Sequence, residues 1–190
     1  MLVVECFPAL TFMPAKISKP LSARLARVKL FLCDVDGVLT DGMVLIGGGV
    51  ESKRFNIRDG LGLKMLQGQG IQVGWVSRRP SKATKQRAED LKLDFLVQSE
   101  SSKVRGVENI LQEAGLNWPQ LCYVGDDVVD AGVLKRAGVG VAVANGVSEA
   151  RAAADYVTKV GGGEGAVREV VELVLKAQGR WEQIVAEYSA

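Results

Sequence analysis

The sequence predicts an α/β fold, a Rossmann-like parallel sheet flanked by helices and carrying a β-hairpin insertion. Three observations predict it. The apolar run 28–33 ends directly in Asp34-Val35-Asp36-Gly37, as a strand covered on both faces does at its carboxyl edge. From Ile71 onward, short apolar runs alternate with helical segments, the pattern of βα units in a parallel sheet. Between these regions two short runs flank Gly47-Gly48-Gly49, a hairpin signature.

Taken in order, residues 1–20 predict an N-terminal tail, expected to be flexible. The tail is apolar up to Pro14 but has no Lys or Arg before that run, so it lacks the basic start of a signal peptide. It is also too short and proline-interrupted to span a bilayer. Residues 22–27 suit one or two helical turns leading into the strand 28–33. The hairpin arms are 43–46 and 50–55, and a helix follows with Leu61, Leu63, Met65 and Leu66, closing at Gly68 or Gly70. Strand 71–76 precedes a helix over 80–91, with Pro80 in its first turn. A short strand at 95–97 leads to a helix over 102–114, ended by Gly115. Strand 121–124, helix 128–137, strand 139–144, helix 148–153, strand 156–157 and helix 165–178 complete the core. One domain over 21–178 results, with 179–190 expected as a C-terminal tail.

Composition narrows the chemistry. Of 190 residues, 47% are hydrophobic and 24% charged, and the formal net charge is +2. That near-balance carries no nucleic-acid footprint. The chain has no histidine, which excludes imidazole acid–base chemistry, histidine triads and histidine metal sites. Proton transfer must fall to carboxylates, Lys or Tyr. Cys6, Cys33 and Cys122 lack metal-ligand spacing and suit reduced core thiols in a cytoplasmic protein.

The candidate site lies at predicted strand ends. Side chains alternate along a strand, so Asp34 and Asp36 start near one another. Two such carboxylates repel unless a cation sits between them, which points to a divalent metal with oxygen ligands, magnesium above all. The bland alternative is an Asp-rich turn. Gly125-Asp126-Asp127-Val128-Val129-Asp130 places three more acids after an apolar strand. One would suffice to cap a helix, and the surplus favours a metal. Ser77 and Arg78 follow a strand where a hydroxyl and backbone amides can hold phosphate oxygens, although a plain turn has the same sequence. Lys103 opens a helix, where its charge would add to the dipole, although a solvated lysine would also sit there.

In order and placement, Asp34-Val35-Asp36-Gly37-Val38, Ser77, Lys103 and Gly125-Asp126-Asp127-Val128-Val129-Asp130 resemble the four motifs of the haloacid dehalogenase superfamily. The gaps between them hold only the hairpin and single helices or strands, so no cap domain fits. The wider stretches Cys33–Gly42, Phe55–Gly60, Tyr123–Asp127 and Gly162–Val170 are similar to the 3-deoxy-D-manno-octulosonate 8-phosphate phosphatase family, over about Leu21 to Gln178. Two departures stand out: Ser77-Arg78-Arg79 replaces the Thr-Gly-Arg of many members, and Glu164 stands where some carry arginine.

That resemblance implies a magnesium-dependent phosphatase of lipopolysaccharide precursor synthesis, acting on a small-molecule sugar-acid phosphate, with no nucleic-acid or membrane partner. It implies a cytoplasmic homotetramer whose hairpins meet at the centre. It further implies Asp34 as nucleophile and Asp36 as acid and base, with the metal held by Asp34, the Asp36 carbonyl and Asp126. Asp127 and Asp130 would orient waters and Lys103, while Ser77 and Lys103 would hold the phosphoryl group. Arg58 and Asp59 are expected at the substrate entrance, and Arg78 and Arg168 as further substrate contacts. The loop Gly161–Gly165 is expected either to pack ahead of the last helix or to reach a neighbouring subunit's site, bringing Arg168 to the substrate carboxylate. Other readings are a phosphatase for nine-carbon sugar acid 9-phosphates of the N-acylneuraminate type, and a non-catalytic phosphoacceptor or regulatory module.

Overall fold

The computed structural model describes residues 18–189. Residues 1–17 of the expected tail 1–20, Cys6 among them, lie outside the described residues. In chain order the elements are α1 (Lys19–Leu25), β1 (Leu30–Cys33), the hairpin β2 (Leu45–Gly47) and β3 (Val50–Ser52), α2 (Ile57–Gly68) and β4 (Gln72–Ser77). Then come α3 (Lys82–Asp90), β5 (Phe95–Gln98), α4 (Lys103–Ala114), β6 (Leu121–Gly125), α5 (Ala131–Leu134), β7 (Val139–Ala142), α6 (Ser148–Ala153), β8 (Tyr156–Val157), α7 (Ala166–Ala177) and α8 (Trp181–Tyr188).

Among the described residues six strands form one sheet in the order β5-β4-β1-β6-β7-β8, every pairing parallel, and β2 pairs antiparallel with β3 alone. The chain runs from β1 outward to β4 and β5, then returns to the other side of β1 for β6. That reversal makes the carboxyl end of β1 a topological switch point, where open α/β sheets bind ligands. Strand alternation splits the core. Phe31 and Cys33 pack with residues of α1, α2, α7 and α8 on one face, while Leu30 and Leu32 pack with α4, α5 and α6 on the other. With both faces covered, β1 is wholly buried, which explains its unbroken apolar run.

The structure alters four sequence expectations. Pro80 lies ahead of α3 rather than in its first turn, because Ser81 is the N-cap and its hydroxyl accepts the Thr84 N–H. The helix expected over 128–137 is a 3-10 turn (Val128–Asp130) followed by the short α5, because Asp127 and Asp130 form a capping box around the turn. Lys19 and Pro20, expected in the tail, belong to α1. Residues 179–190, expected as a tail, carry α8, whose Ile184 is buried in the core. Trp181 packs under the cations Arg168 and Lys176, their charges 5.2 and 5.1 Å from its ring centroid. Cys33 and Cys122 are buried free thiols, as expected. Among the described residues no helix is long and apolar enough to cross a membrane.

Candidate active site

Strand ends deliver the chemistry to one cavity of about 210 Å³, lined by Asp34, Asp36, Ser77, Arg78, Arg79, Lys103, Asp126, Asp127 and Val129. Asp34 follows β1, Ser77 ends β4, Asp126 follows β6, and Lys103 opens α4. Parallel strands in register bring these ends side by side although they are far apart in sequence.

At the centre, the Lys103 ammonium lies 2.7 Å from Asp34 Oδ2 and 2.7 Å from Asp130 Oδ1. Its side chain is almost wholly enclosed, so a charge there requires close partners. Burial would lower the Lys103 ammonium, but the adjacent Asp34 and Asp130 outweigh it and hold it above its ordinary value. Burial pushes the Asp34 carboxyl up to about 6, aided by Asp130 and opposed by Lys103. Asp34 Oδ1 also accepts the Val35 N–H at 2.7 Å, leaving the carboxylate fixed by contacts to both oxygens.

Asp130 is saturated. Oδ1 accepts from Lys103 at 2.7 Å and from the Tyr123 hydroxyl at 2.6 Å. Oδ2 accepts the N–H groups of Asp126 and Asp127 at 3.1 and 3.2 Å. It therefore ties Lys103 to the Asp126 loop. Asp127 lines the cavity from an exposed position, and its Oδ1 accepts the Val128 N–H at 2.6 Å, capping its own turn.

Asp126 behaves differently. Its Oδ1 is buried with no hydrogen-bond partner among the described residues. Burial, then the charges of Asp34 and Asp130, push its carboxyl up to about 8. Oxygens of Asp34, Asp126 and Asp130 lie within 4.8 Å of one another. An orphaned carboxylate oxygen facing a second carboxylate fits a divalent cation with oxygen ligands, the donor chemistry of magnesium. Gly37 makes that approach possible. A Cβ there would come within 2.0 Å of Asp126 Oδ2, and the residue has φ +91°.

The Asp36 side chain turns to a group of residues that sequence reasoning missed. Lys53 Nζ lies 2.7 Å from Asp36 Oδ1, and Arg79 Nε lies 3.3 Å from Oδ2. Arg79 also clasps Glu51 at 2.5 and 3.3 Å. Glu51 and Lys53 are two residues apart on the outgoing hairpin arm, so strand alternation already places them on one face; that was the available signal. Tyr123 gave no signal beyond an apolar strand.

The rim residues divide. Ser77 lines the cavity, its hydroxyl accepting the Arg79 N–H at 3.1 Å, and exposed Arg78 lines it too, bonded to the Glu100 carbonyl at 2.9 Å. Asp59 is not at the entrance as expected: it is 1% exposed, and its Oδ1 accepts the Arg168 N–H at 2.7 Å, tying α2 to the start of α7. Arg58 and Arg168 line a separate, larger cavity of about 480 Å³ with Glu164 and Glu172. Arg168 is engaged there by Glu172 at 3.0 Å. The glycine-rich loop is likewise occupied within its own chain. Gly163 donates to the Val38 carbonyl at 3.0 Å, and a Cβ on Gly162 would lie 1.7 Å from the Gly37 carbonyl oxygen. The glycines allow this loop to press against the stretch Gly37–Asp41 that follows Asp36 in the same chain.

A doubly covered parallel sheet with an aspartate pair at its switch point, a buried lysine and a second acidic loop defines a phosphoric monoester hydrolase of the haloacid dehalogenase type. Residues 95–169 match the model of the haloacid dehalogenase-like hydrolase family. The chain is 37% identical over 168 residues to 3-deoxy-D-manno-octulosonate 8-phosphate phosphatase KdsC of Escherichia coli, covering 88% of this chain and 89% of that one. It is 39% identical over 160 residues to its counterpart in Yersinia pestis, covering 84% and 86%. The structure superposes with a TM-score of 0.86 on the Moraxella catarrhalis phosphatase of that name, crystallised with magnesium ion, phosphate ion and KDO. That match has 36% identity and covers 88% of this chain and 97% of the other. The chain belongs to the 3-deoxy-D-manno-octulosonate 8-phosphate phosphatase family. As an enzyme of that family it is not the non-catalytic phosphoacceptor module.

Proposed function

We propose that this chain hydrolyses 3-deoxy-D-manno-octulosonate 8-phosphate to the free sugar acid and inorganic phosphate, through an aspartyl-phosphate on Asp34. The observation that carries the reading is the Asp34 carboxylate, fixed by Lys103 and Val35 beside a second carboxylate at the switch point. Its relatives in Escherichia coli and Yersinia pestis carry that substrate in their names.

An Asp34 oxygen attacks phosphorus in line, and the bond from phosphorus to the sugar oxygen breaks. Asp36 donates a proton to the departing oxygen, then removes one from the water that attacks the aspartyl-phosphate. Cleavage of that acyl phosphate releases inorganic phosphate and restores the Asp34 carboxylate. Lys103 and Ser77 balance charge on the phosphoryl oxygens. Asp34, Asp126 and the Asp36 carbonyl would hold magnesium, which supplies positive charge so that a carboxylate can approach a phosphate dianion.

The cavity of about 210 Å³ is smaller than ordinary ligand pockets. It suits a phosphoryl group while the sugar lies over the rim at Arg78 and Arg79. The same reading places the enzyme in lipopolysaccharide precursor synthesis in the cytoplasm, as a homotetramer whose neighbours complete the rim. A panel of sugar-acid phosphates ranked by kcat/KM tests the substrate. The eight-carbon substrate should lead, and a nine-carbon 9-phosphate in first place would transfer the assignment to the N-acylneuraminate type. Asp34→Asn should remove phosphate release from every ester, and retained turnover would refute the covalent route.

A further inference from the structure

The ion pair between Lys53 and Asp36 has no part in the mechanism above, yet Lys53 is the more deeply enclosed partner. Its side chain is 0% exposed, against 41% for Arg79, the other cation on Asp36. An enclosed ammonium must be paired, and Lys53 has three partners from three elements. Asp36 Oδ1 lies at 2.7 Å, Glu51 Oε1 at 3.8 Å, and the Thr84 hydroxyl accepts its hydrogen bond at 2.9 Å. Glu51 is in turn held by Arg79 and by the Ser81 hydroxyl. The outgoing arm of the hairpin, the turn after β4 and the first turn of α3 thus close a circuit around one carboxylate.

We propose that Lys53 is the positioning residue that aims Asp36 for both proton transfers. This rests on the reading of Asp36 as acid and base. The Lys53 ammonium lies against Oδ1 while Arg79 Nε lies against Oδ2, so cations on both sides limit how far the carboxylate can rotate. Glu51 and the Thr84 hydroxyl in turn hold Lys53 in that place. Arg79 alone would not suffice, because it is half in solvent and clamped by Glu51.

Leaving-group chemistry separates this role from simple support of the fold. A sugar or other alkyl oxygen needs Asp36 to protonate it, whereas nitrophenolate leaves without a proton. In single-turnover rapid mixing, Lys53→Met should release nitrophenolate from p-nitrophenyl phosphate within about twofold of the wild-type rate. Release of the alcohol from an alkyl phosphate should fall roughly tenfold to hundredfold, a substantial part of what general acid catalysis contributes. The second proton transfer should slow as well, so Lys53→Met should accumulate phosphorylated enzyme with the aryl ester. Lys53→Arg should recover part of the alkyl rate.

Thr84→Val removes only the hydroxyl that seats Lys53, and should give the same selective loss on a smaller scale, which covers the case in which Lys53→Met fails to fold. Equal losses on the two esters in either folded variant would overturn the proposal. Asp34→Asn is run beside them and should give no nitrophenolate burst. A burst from that variant would instead overturn the covalent reading on which the proposal rests.

Discussion

Tyr123 donates its hydroxyl to Oδ1 of Asp130 at 2.6 Å, and both side chains are fully buried. The same oxygen receives Lys103, and Lys103 reaches Asp34. A strand residue behind the site is thereby three contacts away from the Asp34 carboxylate, through Asp130 and Lys103. Tyr123→Phe deletes one hydrogen bond to a charged acceptor, which should cost about 1.5–3 kcal/mol in urea unfolding. Asp130→Asn should cost more, about 3 kcal/mol or beyond, because its amide must face donors on one side and leave Lys103 half-paired. Phosphate release should fall in the same order, Asp130→Asn below Tyr123→Phe. Full activity in Asp130→Asn would show that Lys103 does not depend on it.

The partition between what could be read from residues and what could not follows the range of each interaction. β1 and the acids after it were legible, because a strand buried on both faces must be apolar and carboxylates at its end stand out. Lys103 was legible from its residues as an α4 start, whereas its link to Asp130, 27 positions on, was implied by the family resemblance and by nothing local in the chain. Asp59 was misplaced for the same reason: its acceptor role is fixed by α7 packing on α2, 109 positions away. The glycine-rich loop read equally as packing ahead of the last helix or as reach to a neighbour, and its glycines' close approach to Gly37 is a steric fact visible only in three dimensions.

Metal removal should register in stability without any assay of turnover. With burial and the neighbouring acids pushing Asp126 up to about 8 and burial raising Asp34 to about 6, the metal-free site holds protons that magnesium must displace. Magnesium should therefore raise Tm at pH 8, by an amount that grows with concentration, and raise it less at pH 6. Asp126→Asn should lose most of that shift. A magnesium response identical in Asp126→Asn and the parent at pH 8 would remove Asp126 from the ligand set.

Asp59 gives a pH dependence of its own. Burial raises its carboxyl from 3.8 to about 6, with the Arg168 N–H opposing, and Oδ2 is buried without a partner. Because the folded value is the higher, the folded protein binds this proton more tightly. The resulting stabilisation is full below about pH 3.8 and is lost as pH rises through about 6. Asp59→Asn cannot ionise and should lack this component. The Tm difference, variant minus parent, should therefore climb between pH 4 and pH 7 and flatten above. A difference constant across that window would show that Asp59 titrates alike in both states.

The hairpin tests assembly. Met43, Leu45, Ile46 and Val50 are all exposed, Ile46 at 83%, and among the described residues the two strands pair only with each other. A two-stranded hairpin is marginal alone, and a patch of large apolar side chains at its tip marks an interaction surface. The base of this hairpin carries Glu51 and Lys53 into the site, so an unsupported hairpin would leave Asp36 less well held. Light scattering should report about four chains, in line with the closed symmetry usual for homo-oligomers. Leu45→Asp with Ile46→Asp should lower that mass. Sugar-acid phosphate turnover should drop with it, and the parent's specific activity should fall on dilution through the same dissociation. The doubly substituted chain should still unfold cooperatively, because neither residue belongs to the core clusters. A single chain with undiminished turnover of the sugar substrate would exclude any contribution of neighbouring subunits to the site.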